Sequence, residues 1–205
     1  MMSYNLFEIF KAIVISSHLN WYMAVQIIVI GYIIGGMLAV IRYNSKLASA
    51  FLTPVFAILR YAPSFVVMFF LLALGDVEKG LFNTGFRING ILAVVISCSV
   101  YSTIFISDLT VANFHKRNSA NLIRQFSENF PAVLRCFFIC FLSTAAGAAV
   151  GVPEALGTAL RAVNSMTATG DRVLVLGFVA VFFAASMQVC NWFISIIERR
   201  LAGTR

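Results

Sequence analysis

The sequence predicts an all-α membrane protein, and three observations carry that prediction. Of the 205 residues, 60% are hydrophobic and only 11% are charged, with a mean hydropathy of +0.92. A soluble domain carries roughly 25% charged residues, so this chain lacks the charge to cover a water-facing surface. Five apolar runs each approach or exceed the roughly 20 residues that a helix needs to cross a bilayer. Within those runs apolar and polar residues do not alternate, which argues against the strands of a membrane barrel.

Each element follows from its own residues. Residues 3–16 place Leu6, Phe7, Ile9, Phe10, Ile13 and Val14 at helical spacing, with Ser3, Asn5, Glu8 and Lys11 between them. This spacing predicts an amphipathic helix, resting in the membrane interface or packed on a partner. The spans are expected at residues 19–41, 55–75, 88–110, 132–150 and 173–197. The second opens on Arg60 and Pro63, the third is interrupted only by Asp108, and the fourth carries Arg135 near its start. An arginine at the water end of a span can extend its head to the lipid headgroups. A proline in the first turns of a helix gives up an N–H that has no partner there.

Lysine and arginine set the orientation. With the loops after spans one, three and five on one side, that side holds Arg42, Lys46, Arg60, Lys116, Arg117, Arg124, Arg135, Arg199, Arg200 and Arg205. The other holds Lys11, Lys79, Arg87, Arg161 and Arg172, so ten of the 15 basic residues share the side expected to be cytoplasmic. The N-terminus is then external and the C-terminus internal. The net charge of +7 comes from residues that punctuate apolar runs rather than from a stripe or tail. That placement suits headgroups and speaks against nucleic acid as a partner.

Two connections are expected to be more than loops. Residues 113–130 form a cytoplasmic segment in which Asn118 or Ser119 caps a short helix with Leu122, Ile123 and Phe126 on one face. Residues 151–172 form an external helical segment opening on Gly151, Pro153 and Glu154. Proline suits a first turn and an acid suits the positive end of the helix dipole.

The chemistry of an enzyme is missing from the sequence. It has no H-E-x-x-H, no G-x-S-x-G and no phosphate-cradling G-x-x-x-x-G-K-[ST]. Cys98, Cys136, Cys140 and Cys190 sit in apolar runs without a CxxC pair, where thiols behave as small hydrophobes. No metal, catalytic residue or cofactor is expected on this chain. Among the polar residues within the spans are Ser99, Tyr101 and Ser102 in the third and Gln188 and Asn191 in the fifth. They either line a solute path or join helices by hydrogen bonds of about 0.6 kcal/mol each.

Six short motifs, in order, resemble the membrane subunits of binding-protein-dependent ABC importers of the polar amino-acid (histidine/glutamine/arginine) type. G-G-M-L-A-V-I-R, from Gly35 to Arg42, resembles their G-x-x-L-A-x-x-R. R-Y-A-P, from Arg60 to Pro63, resembles R-G-T-P. S-V-Y-S-T-I-F-I-S-D, from Ser99 to Asp108, resembles S-L-N-S-A-A-Y-L-A-E. F-P-A-V-L-R, from Phe130 through Pro131 to Arg135, resembles L-P-Q-A-L-R. G-V-P-E, from Gly151 to Glu154, matches the family's G-V-P-E, and I-I-E-R-R-L, from Ile196 to Leu201, resembles W-L-E-R-R-L. The resemblance implies the five-span arrangement of a type I importer permease, with a second permease subunit, two ATPase subunits and an external solute-binding protein as partners. ATP and magnesium would sit on the ATPase. It also implies a coupling helix docking on that ATPase, here drawn from Ala120, Leu122, Ile123, Arg124 and Glu128. The family's E-A-A-x-x-x-G is reduced here to S-A-N-L-I-R-Q, from Ser119 to Gln125, and the stretch from Asp108 to Gly151 is shorter than the family's. The other reading open to the sequence is a permease-derived scaffold that no longer transports.

Overall fold

The computed structural model describes residues 5–76, 88–115 and 122–202. Helix α1, Leu6–Ser16, starts where the side chain of Asn5 accepts the N–H of Phe7 at 3.1 Å. Ser17 makes a tight turn, its N–H donating to Ile13 and Val14, and α2 follows as His18–Asn44. Ser45 is extended and caps α3, Lys46–Tyr61, by accepting the N–H of Ala48.

Residues 55–75, expected as one span, fall in two helices. α3 ends at Tyr61, α4 is Ser64–Asp76, and the pair is bent by 94°. The cause is Pro63. Its ring crowds the residue before it out of the helical region, and Ala62 is extended at φ −67°, ψ 121°. Pro63 then opens α4, its carbonyl accepting from Val66 and Val67. Arg60 therefore closes α3 rather than opening the span.

Helix α5 is Gly90–His115, capped by the side chain of Asn89 accepting from Leu92 at 2.8 Å. Helix α6 is Leu122–Ser143 and contains Pro131. The fourth span, expected as one helix over 132–150, tightens after Ser143 into a 3₁₀ segment, Thr144–Val150. That segment stops at Gly151, whose φ of +79° is left-handed and favours glycine. Helix α7, Ala155–Ser165, and the 34-residue α8, Thr169–Ala202, complete the order. Among the described residues, four helical stretches are long and apolar enough to cross a membrane, and the bent α3–α4 pair makes a fifth if counted as one span. The described chain is all helix, as its composition predicts.

The core follows from close helix contact. α2 and α5 approach at Gly31 and Gly35, where a Cβ on Gly35 would fall 2.5 Å from the carbonyl of Thr103. Only a residue without a side chain allows that spacing. Around this seam Met23 and Ile27 pack with Met68, Val94, Cys98, Cys136 and Cys140. A second cluster joins Ile13 of α1 to Ala155, Ala159, Val175 and Val179 of α7 and α8. The inner face of α1 thus meets its own chain, while Phe7, Val14 and Ile15 remain exposed.

Candidate functional site

Two polar clusters lie at opposite ends of α2, about 33 Å apart along its axis. At the first, Glu154 is fully buried and caps α7. Its Oε1 accepts from Gly157 N at 2.7 Å and its Oε2 from Leu156 N at 2.9 Å. Asn20 Nδ2 donates to the same Oε2 at 3.0 Å and to Thr144 Oγ1 at 2.9 Å. Asn20 Oδ1 in turn accepts from Ala155 N at 3.2 Å. Three donors and a helix dipole hold this carboxylate, and the network ties α2, the 3₁₀ segment and α7 together. The dipole role expected of Glu154 is present, but Pro153, expected in the first turn, lies before the cap and outside α7, because Glu154 itself is the N-cap. Sequence reasoning missed Asn20. Its one signal is an amide at the mouth of an apolar run, a group that must find partners when buried.

At the second cluster Asp108 of α5 meets two arginines. Arg42 Nη1 donates to Asp108 Oδ1 at 2.7 Å and to Ser107 Oγ at 3.0 Å. Arg60 Nη2 donates to Asp108 Oδ2. Arg42 also lies 5.0 Å above the Phe56 ring, and its side chain is only 9% exposed. Arg60 is half-exposed, so it is held by an ion pair rather than extended freely to headgroups. Arg60 and Asp108, with Tyr101, Ile104, Phe105 and Leu109, line an open cavity of about 330 Å³. A further pair, Arg135 Nη2 to Glu198 Oε1 at 2.7 Å, links α6 to α8.

The polar residues proposed for a solute path do not converge. Ser99 Oγ donates to Val95 O at 2.6 Å, and Ser102 Oγ to Ile27 O at 2.9 Å, both buried. These serines satisfy themselves on backbone, and Ser102 joins α5 to α2. Tyr101 does face the cavity. Gln188 and Asn191 lie on the exposed outer face of α8, beside Val189 and Trp192.

The described residues of the segment 113–130 belong to the flanking helices. α5 continues to His115 and α6 begins at Leu122, so Leu122, Ile123, Arg124 and Glu128 form the first turns of the helix that carries Pro131. Ala120, Asn118 and Ser119 lie outside the described residues. The four cysteines are free and buried. Among the described residues, no three His, Cys, Asp or Glu side chains come together as a metal site.

No protein-family model matches the sequence. No curated protein matches it either. The fold does match a chain in the crystal structure of an amino acid ABC transporter with histidines. The TM-score is 0.70 over 93% of this chain and 94% of that one, at 13% identity. The likeness spans nearly the whole of both chains and is a likeness of fold.

Proposed function

We propose that this chain is the membrane permease subunit of an ABC transporter. It imports a small polar solute, an amino acid or a related compound, by alternating access driven by a separate ATPase. A full-length match to a chain of an amino acid ABC transporter structure carries this reading. The motif residues support it independently. Arg42, Arg60 and Asp108 come from three separate motifs and meet at one point. Arg135 and Glu198 come from two others and meet at a second. Motifs scattered through the chain thus pair in space, as the parts of one inherited design would.

In this reading the chain sits in a bacterial inner membrane with its N-terminus outside. ATP and magnesium bind the ATPase. A second permease subunit and an external solute-binding protein complete the assembly. ATPase closure would push on the start of α6, around Leu122 to Glu128, and the bundle would rock about the solute path. A permease-derived scaffold is the second reading. One observation favours it: α6 runs unbroken from Leu122 to Ser143, without a separate crosswise helix among the described residues.

The test is affinity purification of the tagged chain from its native host in mild detergent, followed by mass spectrometry. Transport predicts a stoichiometric partner bearing a G-x-x-x-x-G-K-[ST] loop. A complex without such an ATPase contradicts the transporter reading and leaves the scaffold.

A further inference from the structure

We infer that α3 is an in-plane interfacial helix that rests one face on the phospholipid headgroup–acyl boundary. The inference requires only that the chain be a multi-pass membrane protein. α4 packs along α5, from the Asp108 end towards Val94, through Met68, Leu71 and Leu72. α5 is among the helices apolar enough to cross a bilayer. With α3 turned by 94° from α4, its axis lies near the membrane plane.

The sequence of α3 divides into three faces. Leu47, Phe51, Ile58 and Tyr61 recur at i, i+4, i+11 and i+14, one stripe of a helix. They are 83%, 69%, 72% and 84% exposed. On the opposite side Phe56 is buried, under Arg42. Between the two runs a polar stripe of Lys46, Ser49, Thr53 and Arg60, also at helical spacing. An apolar face, a polar face and a basic residue near each end are the composition of a helix that lies on a membrane.

Lipid, rather than a protein, suits this stripe for two reasons. It is followed across the bend by Phe65, Val66, Phe69 and Phe70 of α4, a surface also apolar and about half-exposed. The C-terminal end is also anchored, because Arg60 is paired to Asp108 and Phe56 is packed. The helix therefore cannot swing away to bury its apolar stripe elsewhere.

Spin labels on the full chain, purified with its natural partners and placed in phospholipid nanodiscs, test this. Cysteine is introduced singly as Leu47→Cys, Ile58→Cys, Thr53→Cys and Val181→Cys, with the unsubstituted chain as the labelling background. Collision with oxygen reports lipid, and collision with a water-soluble nickel chelate reports solvent. The expected oxygen-to-nickel ratio is about threefold or more higher at positions 47 and 58 than at 53, at similar shallow depth. Position 181, exposed on α8, should read as deep lipid. Nickel-accessible labels at 47 and 58 would overturn the inference. Labels there shielded from both reagents would also overturn it, pointing to a second copy or another chain on the stripe. A nickel-accessible label at 181 would instead strike at the membrane reading itself.

Discussion

At one end of the bundle Glu154, Asn20 and Thr144 are completely buried, and every donor they face is matched. At the other end Asp108 is about one-third exposed and Arg60 about one-half, in contact with an open cavity. Both clusters join elements far apart in sequence. The first does so with one carboxylate and neutral partners, the second with one carboxylate between two cations. A buried network is costly to leave half-made, whereas a half-exposed ion pair is screened by water and contributes little. The molecule therefore has one end held by a fully buried network and another held in part by a half-exposed ion pair.

The largest break should come at the buried end. Glu154→Ala removes the cap of α7, takes one of the two acceptors of Asn20 Nδ2 and strands the N–H groups of Leu156 and Gly157. A loss of about 3 kcal/mol is expected. At roughly 2–4 °C per kcal/mol for a chain of this size, thermal unfolding in detergent should shift down by about 10 °C. Glu154→Gln keeps an acceptor and should cost visibly less. Equal shifts for the two would remove the network from the account.

Next is the seam on which both ends depend. Gly35→Ala drives a Cβ into the Thr103 carbonyl, whereas Gly36→Ala meets nothing within 4 Å. The first should destabilise by about 1–3 kcal/mol and the second hardly at all. The same melting assay separates them.

The half-exposed end should respond less. Asp108→Asn keeps an acceptor for the nine-tenths-buried Arg42 but removes the negative charge that faces both Arg42 and Arg60, and should cost about 1–2 kcal/mol. Arg60→Ala should cost less than about 1 kcal/mol, and that effect should shrink in high salt. If Arg60→Ala costs more than Glu154→Ala, the contrast between the ends is wrong.

The sequence already carried the all-helical class and the place of Glu154 at the positive end of a helix, because long apolar runs and helix-end chemistry are local properties. The two-helix form of residues 55–75 was legible too, since Pro63 constrains Ala62, but the length of the apolar run outweighed that signal. α3 was hidden for the same reason: its Leu47–Tyr61 stripe merged with the span that follows. The partner of Asn20 could not be read, because Glu154 lies 134 residues away. Likewise Ser102 offered a hydroxyl whose target, the carbonyl of Ile27 on a neighbouring helix, depends on packing. Gln188 and Asn191 shared a face by spacing, but spacing could not say that the face points outward.

The central claim is that this fold works as the membrane part of an ATP-driven importer. ATP hydrolysis by the complex captured through this chain, reconstituted in nanodiscs, tests it most directly. An importer should show hydrolysis that rises when the external solute-binding protein and its solute are added, and that loses this stimulation in Leu122→Asp or Ile123→Asp. Hydrolysis indifferent to the binding protein, or unchanged in both variants, would contradict the claim.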